Sequence, residues 1–145
     1  MVLEAFSLKD QVAVVTGAGR GIGAATARVL AEAGADVVLT ARTKEQLDAV
    51  AADIVGMGRR ALVVPADVNE NAAIDAVVQQ ALDEFGRVDI AINNAGGTTP
   101  RPFLATSPGF LERSFHFNVT TAFVLSKAVA PHMLCLLYTS DAADE

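Results

Sequence analysis

VAVVTGAGRGIGA, Val12 to Ala24, is the stretch whose reading decides the fold. Its first four residues, Val12 to Val15, form a short unbroken apolar run that stops at a glycine cluster, the pattern of a strand buried on both faces in a parallel sheet. The glycines let the backbone turn sharply. From Gly21 onward Ile22, Ala25, Val29 and Leu30 recur at helical spacing, and Gly34 stands where a left-handed cap would close the helix. The stretch therefore predicts strand, tight turn and helix.

Outward from it the same unit recurs. Val37 to Leu39 reads as a second strand; Thr43 with Gln46 three residues later gives a capping-box signature ahead of Leu47, Val50, Ala51 and Ile54. Leu62 to Val64 reads as a third strand. The segment from Glu70 to Phe85 then sets Ile74, Val77, Val78, Ala81, Leu82 and Phe85 on one stripe that ends at Gly86. A fourth strand, Ile90 to Ile92, runs into Asn93, Asn94, Ala95 and Gly96. After a proline-bearing loop, Ser107 and Pro108 suit the cap and first residue of a long apolar helix through Phe110 to Met133. Strands alternating with helices of this length predict an α/β fold with a doubly wound parallel sheet, in three layers.

With 145 residues the chain fits one domain with a real core. Hydrophobic residues are 52% of it and charged residues 19%, which suits a sheet covered by helices on both sides. The net charge of −6 and the lack of any basic run make nucleic acid an unexpected partner. One cysteine, Cys135, cannot form an internal disulfide, and with only His116 and His132 beside it no metal site is expected. The opening MVLEAFSLKD lacks the marks of a secretory signal. No unbroken apolar run approaches the roughly 20 residues that span a bilayer. A soluble, cytoplasmic chain without a membrane partner is the expectation.

In such sheets ligands sit beyond the carboxyl ends of the strands, where strand order reverses. There the loop TGAGRGIG, Thr16 to Gly23, allows close approach to a diphosphate, and the amides that start the next helix carry partial positive charge toward it. The strict G-x-G-x-x-G spacing fails at Ile22, while Gly19, Gly21 and Ala24 meet the looser form. Neither the Lys nor the Ser/Thr of a phosphate-transfer P-loop is present. Glycines here also serve turn geometry alone, but the buried strand before them and the helix after them favour a nucleotide site.

Taken with AD at Ala66 and Asp67, NNAG at Asn93 to Gly96, and FNV at Phe117 to Val119, the loop makes the chain resemble the short-chain dehydrogenase/reductase family from about Ser7 to Met133. The resemblance implies a Rossmann-type NAD(P)-binding domain over residues 1–133, incomplete at about four strands. It places Gly17, Gly19, Arg20, Gly21, Ile22 and Gly23 in the coenzyme loop, and Asp67 with the amide of Val68 at the adenine amine and ring nitrogen. A carboxylate accepts what that amine donates; capping its own turn is the other reading of Asp67. Asn94, Ala95 and Gly96 would line the coenzyme, with Asn93 set apart as a strand-end brace.

The second strand ends in Thr40, Ala41 and Arg42, without the acidic residue that would hold a ribose 2′-hydroxyl. Asp36 lies at the strand's other end. Arg42 could instead fork onto a 2′-phosphate, with Arg20 approaching from the other side, so NADP(H) is expected over NAD(H). Two ordinary solvated charges are the alternative.

The resemblance also implies hydride transfer between a nicotinamide and the carbonyl or alcohol carbon of a small molecule, by an oxidoreductase using Tyr, Lys, Ser and Asn. Asn118 matches that Asn, whose place in the family holds a water beside the Lys; an Asn bonded to backbone is the plainer alternative. No Y-x-x-x-K occurs: Tyr138 is the only tyrosine, and Ala142 stands four residues beyond it. Residues 134–145, LCLLYTSDAADE, carry no strand-plus-serine pattern and read as a probable non-native tail. The chain is thus expected to bind coenzyme at best, as part of a homodimeric or homotetrameric parent enzyme. A non-catalytic nucleotide-binding or interaction module is the other class that fits.

Overall fold

The decisive apolar run becomes β1 (Val12–Thr16), and all five of its residues are buried. In the computed structural model, which describes residues 4–141, β1 lies at the centre of a four-stranded sheet. It pairs in parallel with β2 (Asp36–Ala41), Val12 opposite Asp36 through Thr16 opposite Thr40. On its other side it pairs with β4 (Ile90–Ile92). β3 (Ala61–Pro65) pairs with the outer side of β2, giving the order β3-β2-β1-β4. The order turns back on itself between β1 and β4, which is where an open α/β sheet leaves a crevice.

Alternation along each strand sends side chains to two faces, and each face has its own helices. Val15, Val37 and Leu39 pack on α1 (Gly21–Glu32) and α2 (Lys44–Gly56) through Ala27, Ala31, Leu47 and Ile54. Val12, Val14, Val38 and Val64 pack on α3 (Asn71–Phe85) and α5 (Thr121–Asp141) through Ile74, Val77, Leu125 and Val129. This is the three-layer, doubly wound arrangement that the alternating pattern predicts. Each fully buried Val or Leu contributes up to about 1.5–3 kcal/mol by removal from water.

The stripe expected for α1 is corrected. Ile22 and Val29 are exposed, at 79% and 61%, and Ala25 is exposed too; the buried residues are Gly23, Ala24, Ala27 and Ala31. The helix lies so close to the sheet that only small side chains fit between them, and the larger ones turn outward. Gly34 does adopt the left-handed conformation beyond the helix, with φ +112°. A Cβ there would stand 3.0 Å from the Lys9 backbone nitrogen. Gly86 likewise caps α3 at φ 76°.

Two further expectations change. Thr43 is the N-cap of α2, but its hydroxyl makes no capping bond. Gln46 instead turns toward the glycine loop, its Oε1 3.1 Å from where a Cβ on Gly19 would lie. The long apolar helix is interrupted: α4 (Pro108–Phe115) begins with Ser107 Oγ accepting from the Phe110 amide at 3.2 Å, as expected, then passes through a π-helical turn, His116–Thr120, before α5. The boundary expected at Met133 coincides with no backbone break, since α5 continues to Asp141; residues 142–145 of the expected tail lie outside the described residues.

The helical run Pro108–Leu136 is long and apolar enough, by length and composition, to cross a bilayer. Its charges, Glu112, Arg113 and Lys127, interrupt it, so it is not an unbroken apolar run. Here α5 lies on the sheet, with Leu125 and Val129 buried beneath it.

Asp36, as the sequence placed it, sits at the end of β2 far from the crevice. Its carboxylate accepts from Arg59 Nη2 at 2.8 Å, the Arg60 backbone N at 3.0 Å and Arg60 Nε at 2.9 Å. Burial pushes the Asp36 carboxyl up, but the Arg60 hydrogen bonds and the two guanidinium charges outweigh it and leave the pKa below the usual value. Arg60 also lies over the Phe85 ring, 4.6 Å from its centroid. The network fastens the start of β3 to β2 and to the end of α3.

Candidate functional site

The site begins with what the end of β1 does to the end of β4. Thr16, buried at the last position of β1, donates its hydroxyl to the Ile92 carbonyl at 3.2 Å and accepts from the amides of Asn94 and Ala95, both at 3.0 Å. Asn94 completes the tie with its side chain, Nδ2 donating to the carbonyls of Thr16 at 2.9 Å and Gly17 at 3.2 Å. One hydroxyl and one amide thus hold the two strand ends open at a fixed width around the crevice.

The glycine loop closes one side. Gly17 and Gly21 take positive φ, +64° and +55°. A Cβ on Gly23 would collide with the Gly17 carbonyl oxygen and come within 2.5 Å of Asn94 Nδ2, so only glycine lets α1 start this close to the loop. A Cβ on Gly21 would meet nothing within 4 Å. That open side faces a cleft of about 650 Å³, within the usual range of ligand sites.

All twelve residues assigned to coenzyme contacts line this one cleft: Gly17, Gly19, Arg20, Gly21, Ile22 and Gly23 from the loop, Arg42 after β2, Asp67 and Val68 after β3, and Asn94, Ala95 and Gly96 after β4. Ala41, Thr43, Gln46, Ala66 and Phe117 complete the walls. None of these five is legible from sequence as a wall residue: Thr43 and Gln46 read as a cap, Ala66 and Phe117 as parts of motifs. Thr16 was also missed. A threonine at the close of a strand gives no sign in sequence that its hydroxyl will serve three partners.

The wall groups differ in how committed they are. Asp67 Oδ1 accepts from the Asn69 amide at 3.0 Å and from Asn69 Nδ2 at 2.9 Å, an Asx turn that leaves Oδ2 without a partner among the described residues. Both readings of Asp67 are thus compatible, one per oxygen. Arg20 and Arg42 are exposed on the rim and pair with no carboxylate among the described residues. Asn93 points away, Nδ2 donating to Ser126 Oγ at 3.2 Å on α5.

Asn118 stands in the π-helical turn, behind the cleft wall. Its Oδ1 accepts from the Gly97 amide at 2.7 Å; its Nδ2 donates to the carbonyls of Gly97 at 3.0 Å and Ser114 at 2.8 Å. These bonds are to backbone, and they pin the loop that leaves β4. A π turn widens one helical turn and often marks a functional position. Among the described residues no group of three His, Cys, Asp or Glu side chains is placed to hold a metal ion.

The features fit a dinucleotide. The start of α1 borders the cleft, the Gly21 side is open, one acceptor oxygen of Asp67 stands beyond β3, and two arginines lie on the rim.

Comparison with known proteins agrees with that geometry. A family model described as short chain dehydrogenase matches residues 11–141. An uncharacterized oxidoreductase of Mycobacterium tuberculosis is 48% identical over 134 residues, covering 92% of this chain and 51% of the relative. A metagenomic short-chain oxidoreductase solved in complex with NADP superposes with a TM-score of 0.83 at 42% identity, covering 89% of this chain and 59% of the other. A 7α-hydroxysteroid dehydrogenase solved with NADH and 7-oxo glycochenodeoxycholic acid superposes with a TM-score of 0.85 at 35% identity, covering 88% of this chain and 50% of the other. The chain spans about half the length of the curated relatives it matches.

Proposed function

Because this chain belongs to the short chain dehydrogenase family of oxidoreductases, we propose that its cleft is the coenzyme site of an NADP(H)-dependent enzyme acting on a carbonyl or alcohol group of a small molecule. The observation that carries the reading is the convergence of the twelve assigned residues on one cleft at the β1/β4 crossover. The bound nicotinamide would supply the hydride acceptor or donor. The chain's own residues would bind and orient it.

In this reading the amides from Gly19 to Gly23 face the diphosphate, where the α1 dipole adds roughly half a positive charge. Asp67 Oδ2 and the Val68 amide hold the adenine edge. Arg42 and Arg20 favour a 2′-phosphate, since no carboxylate stands at the end of β2 to repel it. Asn118 acts as the family's asparagine by positioning Gly97 rather than by touching the reacting atoms. Tyr, Lys and Ser of the reaction have no counterpart in residues 4–141, so turnover belongs to a longer parent, cytoplasmic and dimeric or tetrameric.

Fluorescence titration of the chain with NADPH and with NADH tests the reading. Tighter binding of NADPH is the expected result; no binding of either by a folded chain would overturn it. The second reading, a nucleotide-binding module without chemistry, rests on the absence of any Y-x-x-x-K pattern in the sequence. A parent reading frame that encodes a strand with Ser followed by Y-x-x-x-K would exclude it.

A further inference from the structure

Beyond the first cleft, a second cleft of about 500 Å³ opens between the loops after β3 and β4 and the α4 helix with the π turn that follows it, sharing only Arg42 and Phe117 with the first. Its cations are Arg42 and Arg113, with the His116 imidazole beside them, and no Asp or Glu lines it. In a chain with 17 acidic residues against 11 Lys and Arg, that is a local reversal of charge. Neither arginine has an ion-pair partner among the described residues. A third, Arg101, stacks over the Phe110 ring, 4.3 Å from its centroid.

His116 Nε2 is 3.0 Å from the Asn69 carbonyl oxygen, which can only accept. Nε2 is therefore the donor, and the other ring nitrogen, Nδ1, makes no bond among the described residues. Hydroxyl donors come from Thr98, Thr99 and Ser114, the first and last 3.4 Å apart. Phe110 and Phe117 supply an apolar wall.

From these we infer that the second cleft binds a phosphate ester, as a site separate from the coenzyme's. Even with Arg42 engaged by the coenzyme, the Arg113 guanidinium and three hydroxyls offer more donors than the two oxygens of a carboxylate can use, whereas a phosphate presents three strong acceptor oxygens and nearly two charges. The aromatic wall suits the organic body of such an ester. The ester is a second ligand that carries its own phosphate; a coenzyme phosphate reaching past Arg42 is the competing outcome of the test. Arg113, which faces only the second cleft, separates them.

Inorganic pyrophosphate is the probe. Titrated calorimetrically into the chain already saturated with NADP+, it should still bind, and Arg113→Ala should weaken that binding about tenfold or more while leaving NADP+ affinity within about twofold. Arg113→Lys should recover part of it. Pyrophosphate that merely displaces NADP+, or binds the Arg113→Ala chain as tightly as the original, would overturn the inference. If NADP+ itself does not bind, the coenzyme reading fails alone, and the Arg113 comparison made without coenzyme still decides this one.

Discussion

The Thr16 hydroxyl lies 3.0 Å from the Asn94 amide and serves as the hinge pin between β1 and β4. Because it also receives the Ala95 amide and donates to Ile92, no apolar side chain of the same shape can stand in. Thr16→Val leaves the Ala95 amide without an acceptor beside the cleft, the Asn94 amide keeping the Ile92 carbonyl at 3.1 Å, and should cost about 1–3 kcal/mol of stability. Thr16→Ser should recover most of it. Urea unfolding of the three chains checks this; a Val variant as stable as the original would show that the clamp contributes nothing.

Gly23 and Gly21 should separate folding from binding. Gly23→Ala places a methyl against the Gly17 carbonyl and Asn94 Nδ2, and should lower the thermal midpoint and coenzyme affinity together. Gly21→Ala meets no protein atom but carries a positive φ, so its stability cost should stay near 1 kcal/mol while the methyl occupies coenzyme space. Thermal melts paired with NADPH titrations measure both. The same ratio of the two losses in both variants would contradict the placement of Gly21 at the open side.

Arg42→Asp should weaken NADPH about tenfold or more, by removing a fork onto the 2′-phosphate and adding repulsion, while NADH changes little. Equal losses for both coenzymes would refute the assignment of Arg42.

Asp36 makes stability depend on pH in a known direction. Its pKa is lowered in the folded chain, so its contribution is fully present above the unfolded value of about 3.9 and is lost as pH falls through the folded value. Asp36→Asn should cost on the order of 3 kcal/mol at neutral pH, because it leaves Arg59 and Arg60 without their anion. The gap between variant and original should close at strongly acidic pH. Unfolding curves at neutral and acidic pH give the answer, and a gap independent of pH would mean the loss is one of packing alone.

Leu111, Phe115, Val119 and Phe123 recur every four residues along the α4–α5 run, and all four are exposed. Such a stripe should drive self-association. Phe115→Lys with Phe123→Lys should reduce it, read by sedimentation velocity and by dye binding to apolar surface. Unchanged association would locate the contact elsewhere.

The strands, their order of appearance and the helix ends at Gly34 and Gly86 were legible because each rests on a local cause, an apolar run or a left-handed glycine. The twelve residues that line the first cleft were legible as a set because family motifs sit at strand ends, and strand ends converge at a crossover. What escaped depends on distance between elements. That α1 would bury Ala24, Ala27 and Ala31 and expose Ile22 and Val29 follows from how near it lies to the sheet, which no residue of α1 reports. The roles of Thr16 and Gln46 depend on partners 78 and 27 positions away. The π turn at His116–Thr120 interrupts a pattern that reads as continuous helix.

Every wall residue of the first cleft except Phe117 lies at or before Gly96. On a ribosome, therefore, the glycine loop, the β2 and β3 ends and the Thr16–Asn94 tie have all been synthesised before α4 is made. Domains that fold from the N-terminus forward, at about 5–20 residues per second of synthesis, pass through such a stage in seconds. A nascent chain at that stage already has most of a binding surface, and cellular coenzyme that bound it would favour the folded form by mass action while the helices that shield the other face of the sheet were still to come.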